Sequence, residues 1–188
     1  MEAFIGKRIM VIGSPGSGKS HFSAELSYRT GLPLFRLDRN FRPDDAGKWE
    51  IAEAQRFVEW QKRTVEDDEW IFDGNYNGTM RLRLSRADTV FCFDLPRLIC
   101  LFSYFRRLLA YPFLPGASKK DEDRGGFDMK FVKYIWKFKQ TELFEKLHEY
   151  PGLRVFIFRR SRDKKRFFAD LEAHLARERE ERLKEFMG

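Results

Sequence analysis

The residues best suited to chemistry form one short segment, Gly13-Ser14-Pro15-Gly16-Ser17-Gly18-Lys19-Ser20. Its spacing matches G-x-x-x-x-G-K-[ST], the pattern of a loop that binds phosphate groups. Glycines let such a loop curl so that backbone N–H groups point at the β- and γ-phosphates of a nucleotide. Lys19 supplies a mobile positive charge for catalysis, and the Ser20 hydroxyl is suited to holding Mg²⁺. We therefore predict an ATP site made by Gly13, Ser14, Pro15, Gly16, Ser17, Gly18, Lys19, Ser20 and, at the edge of the loop, His21.

Three aspartates, Asp38, Asp73 and Asp94, each follow or end a short apolar segment typical of a β-strand. In a parallel sheet, functional groups gather at the carboxyl ends of the strands. The segment before Asp73 is expected to pair with the strand before the loop, so we predict that Asp73 is catalytic and binds the metal with Ser20, directly or through water. Asp38 is the candidate for binding or deprotonating the phosphate acceptor. The alternative for Asp38 and Asp94 is a role as a helix cap.

Arginine side chains are numerous near the same strand ends. Transfer of a phosphoryl group spreads negative charge over oxygens that cations stabilise, and arginine suits bidentate contact with phosphate. The candidates are Arg81, Arg83, Arg97, Arg106, Arg107 and Arg124. We expect Arg81 and Arg83 to bind the acceptor, Arg97 to bind ATP, and Arg107 and Arg124 to be catalytic.

Residues 111–126 are polar and contain two prolines and three glycines, which predicts a segment without regular structure. This segment carries Lys119, Lys120 and Arg124. It is expected to act as a flexible lid that folds over a bound nucleotide and excludes water.

The apolar periodicity predicts alternating strands and helices. Strands are expected at residues 7–13, 34–37, 70–74, 89–95 and 153–158, and helices from Lys19 and at residues 49–64, 97–111, 127–150 and 161–186. The helix at 49–64 is expected to bury Ile51, Ala54, Phe57, Val58 and Trp60. This alternation favours one α/β domain, in which a parallel sheet lies between two layers of helices.

The composition is that of a globular protein, with 188 residues, 43% of them hydrophobic, and 20 phenylalanines. No apolar run is long enough for a membrane span, and the first residues do not resemble a signal peptide, so a cytoplasmic location is expected. Cys92 and Cys100 suit buried thiols better than a disulfide or a metal site. The net charge of +7 favours contact with polyanions without distinguishing nucleotides from nucleic acids.

The chain resembles the adenylate-kinase-like branch of P-loop kinases and, within it, the DNA topology modulation proteins. The resemblance covers nearly the whole chain. It rests on the loop at residues 12–20, on Leu37-Asp38, on W-I-F-D-G-N-Y at 70–76, on F-D-L-P-R at 93–97 and on the helix at 130–138.

The resemblance implies a P-loop NTPase fold with a five-stranded parallel sheet, a lid, ATP with Mg²⁺ as donor, and a nucleotide or small molecule as acceptor. Asp73-Gly74 is similar to the pair that opens the acceptor-side loop of nucleotide kinases, and Arg107 matches an arginine at their lid hinge. The backbone near Arg160 and Ser161 would lie against adenine, which makes Arg160 an ATP-binding candidate.

Two positions depart from the family pattern. Asn75, Tyr76 and Asn77 stand where nucleotide kinases usually have phenylalanine, proline and arginine, which points away from a nucleoside monophosphate as acceptor. Ser103 replaces an arginine of the family, so stacking on adenine falls to Arg97 or Arg106.

Two functions are compatible with these residues. The first is an ATP-dependent phosphotransferase with an unidentified acceptor. The alternative is a nucleotide-controlled DNA-binding protein, which the net charge, the basic residues 159–166 and the family name suggest. A GTPase is disfavoured because the chain has no N-K-x-D motif. The sequence leaves the oligomeric state open.

Overall fold

A computed structural model describes residues 4–40, 51–110, 127–139 and 141–187. The predicted lid at 111–126, with Arg124, lies outside these residues. So do residues 49 and 50, which the sequence assigned to the start of a helix.

Five parallel strands form one sheet in the order β2-β3-β1-β4-β5. They are β1 (Arg8–Gly13), β2 (Leu34–Arg36), β3 (Trp70–Asp73), β4 (Thr89–Phe93) and β5 (Arg154–Phe158). The residues of β1, β3 and β4 are almost all buried, because helices cover both faces of the sheet. The predicted α/β fold with five parallel strands is confirmed, as is the pairing of β1 with β3.

The helices follow the strands in alternation. They are α1 (Lys19–Thr30), α2 (Leu37–Asn40), α3 (Ile51–Thr64), α4 (Met80–Leu84), α5 (Arg97–Ala110), α6 (Met129–Lys137), α7 (Thr141–His148) and α8 (Ser161–Met187), with a 3₁₀ turn at Asn77–Thr79. Leu37 begins α2 instead of ending β2 as predicted.

The single helix predicted at residues 127–150 is wrong, because α6 and α7 are separate helices. Phe138, the residue after α6, has a ψ of 124°, which lies outside the helical range. Ile135 of α6 packs in the core on one face of the sheet, whereas Phe138 and Leu143 pack on the other face. A straight helix could not deliver side chains to both faces, so the break between α6 and α7 is a packing requirement.

The buried face of α3 also differs from the prediction. Ile51 is 79% exposed, and the buried residues of α3 are Phe57, Gln61 and Thr64. The apolar residues of this helix are spread around its circumference, so the side that meets the sheet could not be read from apolar spacing alone.

Phenylalanines form the centre of the core between the sheet and helices α1 and α8. The ring of Phe22, on α1, lies 4.9–5.7 Å from the rings of Phe91, Phe93, Phe158, Phe167 and Phe168. These distances are typical of favourable aromatic pairs. The helix that follows the glycine-rich loop is therefore fixed to two strands and to the last helix.

Cys92 and Cys100 are both buried, as the sequence predicted. Within the described parts of the chain, no helix is both long and apolar enough to cross a membrane.

We predict that Phe22→Ala lowers the free energy of unfolding by about 3–5 kcal/mol, because it leaves a cavity among five rings. The measurement is urea denaturation followed by circular dichroism. Tyr28→Ala is the matched control, since Tyr28 lies on the same helix but is 91% exposed, and its effect should stay within about 0.5 kcal/mol. Equal losses in the two variants would contradict this assignment of the core.

Candidate functional site

The glycine-rich loop joins the end of β1 to the start of α1, as its motif requires. Gly13, Gly16 and Gly18 have φ angles of 125°, 75° and 86°, which residues with a side chain rarely adopt. A Cβ at Gly13 would lie 2.3 Å from the carbonyl oxygen of Phe93, so only glycine allows β1 to end this close to β4. The N–H of Ser14 donates to that same oxygen at 2.8 Å. The loop is thus held in shape by its backbone and by β4.

The ammonium group of Lys19 lies inside this loop. It donates to the carbonyl oxygens of Gly13, at 3.1 Å, and Ser14, at 2.7 Å. Burial lowers the pKa of Lys19, while the negative charges of Asp73 and Asp38 act in the opposite direction. A cation that is partly removed from water and rests on neutral oxygens is well suited to accept an anionic partner.

Asp73 lies beside the loop because the register of the sheet places it there. It ends β3 opposite Val11 of β1, and its side chain lies near that of Ser20. Burial raises the pKa of Asp73, an effect opposed by the nearby Ser20 hydroxyl and by the charge of Lys19. The structure brings together the two residues predicted to bind the metal, and their oxygens are the hard donors that Mg²⁺ prefers.

Asp38 lies in the first turn of α2 and is exposed to solvent. Its charge acts on Lys19, on Asp73 and on Tyr134 of α6, so the four groups lie in the same region. Burial raises the pKa of the Tyr134 phenol, and the nearby Asn75 side chain opposes this effect. Tyr134 was not predicted from the sequence, because its position depends on how α6 packs as a helix separate from α7.

Asn75 connects the loop after β3 to the glycine-rich loop. Its side-chain Oδ1 accepts from the N–H of Gly13 at 2.8 Å, and its Nδ2 donates to the carbonyl oxygen of Gly13 at 2.9 Å. One amide side chain thus satisfies both backbone groups of the first glycine of the motif. From the sequence, Asn75 was noted only as a departure from the family pattern. Its amide side chain, which can both donate and accept a hydrogen bond, was the one sign of this structural role.

Arg83 occupies a position that does not fit its predicted role in acceptor binding. It is 0% exposed, and its guanidinium group donates to the carbonyl oxygens of Gly74 at 2.9 Å, Asn75 at 2.7 Å and Tyr76 at 3.0 Å. Burial lowers the pKa of Arg83 to about 9, so the side chain stays protonated at neutral pH. Arg83 holds the backbone of the loop that carries Asn75 and has no surface left for a ligand.

The other predicted arginines lie on more open surfaces. Arg81 forms an ion pair with Glu149 at 3.0 Å, with its side chain 70% exposed. The guanidinium carbon of Arg107 lies 5.6 Å from the centre of the Tyr104 ring. Arg106 and Arg160 are exposed, and the backbone N–H of Arg160 donates to the carboxylate of Asp163 at 2.7 Å. Asp94 pairs with Arg159 at 3.3 Å.

An open cavity of about 430 Å³ lies beyond the carboxyl end of β4. Ser14 and Arg97, both predicted to bind ATP, line it together with Phe138, Lys139 and Thr141. The guanidinium carbon of Arg97 is 6.0 Å from the centre of the Trp136 ring. A volume of this size is within the range of small-molecule sites. The structure thus brings the start of the loop and the start of α5 to one concave surface.

Comparisons with known sequences identify no relative. No protein-family model matches the chain, and a search of curated proteins gives no significant match.

Solved structures are similar over almost the full length of the chain. A gluconokinase from Sinorhizobium meliloti has a TM-score of 0.54 and 12% identity, covering 98% of this chain and 99% of that one. A shikimate kinase from Acinetobacter baumannii, in complex with shikimate, has a TM-score of 0.54 and 12% identity, covering 92% of this chain and 94% of that one. The comparisons show neither the resemblance to DNA topology modulation proteins nor the adenylate-kinase-like type, and they give no support to the DNA-binding alternative. At this identity the likeness concerns architecture alone, and the chain shares its fold with these two kinase structures.

Proposed function

We propose that this protein is a kinase that transfers the γ-phosphoryl group of ATP to a hydroxyl group of a small-molecule or nucleotide acceptor. The observation that carries the proposal is the half-buried ammonium group of Lys19 within the loop, with the side chains of Ser20 and Asp73 beside it. This arrangement provides a cradle for phosphate oxygens and a neighbouring pair of metal ligands.

Phosphate binding would use groups that the loop already presents. The N–H groups at the amino end of α1 would contact the β- and γ-phosphates, and the helix dipole favours negative charge there. Lys19 would exchange its hydrogen bonds with the carbonyl oxygens of Gly13 and Ser14 for bonds to phosphate oxygens. Because hydrogen bonds between charged partners are the stronger ones, this exchange favours the bound state.

Ser20 and Asp73 fit a magnesium ion, since both offer oxygen ligands and Asp73 ends a strand next to the loop. When bound, Mg²⁺ would neutralise charge on the phosphate oxygens.

Asp38 is proposed to bind the acceptor hydroxyl and take its proton. The acceptor oxygen would form a bond to the γ-phosphorus, the bond from the γ-phosphorus to the bridging oxygen would break, and ADP would leave. In support of this role, Asp38 is exposed, and its charge acts on Lys19 and Asp73.

We also propose roles for the remaining cations. Arg107, together with Arg124 outside the described residues, would stabilise charge on the transferred group. Arg97 and Arg160 would contact the nucleoside, Arg97 from the cavity next to Ser14. Arg81 remains a candidate for the acceptor, whereas Arg83 is excluded by its burial.

We expect Lys19→Met to reduce ADP formation from Mg-ATP by about 100-fold or more, because the charge that meets the phosphates is lost. The assay is ADP release, coupled to a dye, with a panel of hydroxyl-bearing small molecules and nucleotides. The fold should persist, since the substitution removes a buried charge. Lys62→Met on α3 is the control, because Lys62 is exposed. If the wild-type protein never forms ADP above the level of the Lys19→Met variant, the proposed function is wrong.

Asp73→Asn should stabilise the fold at neutral pH while abolishing ADP formation. Burial raises the pKa of Asp73, so its ionisation costs the folded state stability as the pH rises past the unfolded value of 3.8 through the higher folded value. Asparagine is neutral throughout. Thermal unfolding at several pH values should give similar melting temperatures for both proteins near the acidic end of this range and a higher one for the variant at about pH 7.5. The account is wrong if the melting temperature of the variant, compared with that of wild type, falls between acidic and neutral pH.

Asn75→Ala should lower the free energy of unfolding by about 1–3 kcal/mol, since two hydrogen bonds to Gly13 are lost. It should also weaken ADP binding, because the first glycine of the loop loses its support. Asn77→Ala is the control, because Asn77 is an exposed asparagine two residues further along. Denaturation and calorimetric titration with ADP measure the two effects, and an unchanged ADP affinity would show that Gly13 keeps its position without Asn75.

A further inference from the structure

A second lysine lies against the glycine-rich loop and belongs to a different part of the chain. Lys164 is in the first turn of α8, directly after β5. Because β1, β4 and β5 are parallel and adjacent in the sheet, the start of α8 and the glycine-rich loop both lie at the carboxyl ends of the strands. The Nζ atom of Lys164 is 3.2 Å from the position that a Cβ at Gly18 would take. The ammonium group therefore reaches the last glycine of the motif.

The surroundings of Lys164 leave its charge largely uncompensated. Its Nζ lies 5.9 Å from the centre of the Phe93 ring, and burial lowers its pKa. The charge of Glu25 acts on it from α1, but the Glu25 carboxylate is already paired with Arg29. Across residues 4–40, 51–110, 127–139 and 141–187, no carboxylate forms an ion pair with Lys164.

Holding an ammonium group half out of water without an anionic partner is unfavourable. The place of Lys164 beside Gly18 offers an explanation. Gly18 precedes α1 and has no side chain that could accept hydrogen bonds from the first N–H groups of that helix. The N–H groups that begin α1 point to the place where a phosphate would bind. An anion bound there would lie between Lys19 on one side of the loop and Lys164 on the other.

We propose that Lys164 is a second lysine ligand of the phosphate chain of the nucleotide, on the Gly18 side of the loop. This inference rests on the proposed function, since it assigns a further contact to the same nucleotide. The alternative is that Lys164 serves only the packing of α8, through its methylene groups and its contact with Phe93.

The test is calorimetric titration of the wild-type protein and of Lys164→Met and Lys164→Arg with ADP and with tripolyphosphate, which has no base or ribose. Methionine keeps the packing of the side chain and removes the charge. Lys165→Met is the matched control, because Lys165 is the next residue, has the same charge and is exposed. Salt at about 0.15 M screens long-range effects of net charge.

Lys164→Met should bind both ADP and tripolyphosphate about 10-fold more weakly than wild type, because a hydrogen bond between charged partners is lost. Lys164→Arg should recover part of the affinity, and Lys165→Met should stay within about twofold of wild type. Melting temperatures of all four proteins show whether each variant is folded.

Three results would overturn the proposal. If Lys164→Met binds ADP as tightly as wild type, Lys164 is a packing residue and the proposed function is untouched. If only ADP binding is weakened, Lys164 contacts the nucleoside and not the phosphates. If the wild-type protein binds neither ADP nor tripolyphosphate, both this proposal and the proposed function fail.

Discussion

The ammonium group of Lys19 is half-buried on the carbonyl oxygens of Gly13 and Ser14. Neutral oxygens compensate a partly buried cation only in part, and the charges of Asp73 and Asp38 also stabilise its protonated form. Lys19 in turn supports the ionised form of Asp73, against which burial works. The positions of the loop and of the end of β3 are therefore coupled through these charges.

The geometry around Lys19 depends on polar side chains that bind the backbone of two loops. Arg83 donates to three consecutive carbonyl oxygens of the loop after β3, and Asn75 of that loop holds both backbone groups of Gly13. A fully buried guanidinium group is costly to desolvate, and hydrogen bonds to three carbonyl oxygens offset part of that cost. In this way a charge buried beneath the loop after β3 fixes the glycine-rich loop through one asparagine.

Local sequence information was sufficient for the parts of the site that depend on neighbouring residues. The loop, the helix that starts at Lys19 and the strand ends at Asp38 and Asp73 follow from glycine spacing and apolar runs, and the structure places them together. Arg83 was assigned to the acceptor because arginine suits contact with phosphate and because this residue lies near a predicted strand end. Its burial depends on how α4 packs on the sheet, which cannot be predicted from the residues next to Arg83 in the sequence.

Tyr134 and Lys164 were missed for a related reason. Tyr134 lies near Asn75, and Lys164 lies near Gly18, and both belong to helices that are distant in sequence. Their positions depend on the break between α6 and α7 and on the strand order that brings β5 next to β4. A sequence motif predicts neither the helix break nor the strand order, because both result from packing across the whole sheet. The exposed Ile51 illustrates the same limit for helix faces.

The ring cluster around Phe22 has a consequence for the first turn of α1. Helix α1 carries Lys19 and Ser20 at this turn and Phe22 just behind them, so the turn is anchored to rings of β4, β5 and α8. The conformational entropy of this segment is lost when the protein folds. The turn is thus preorganised, and binding at it would not require α1 to become ordered.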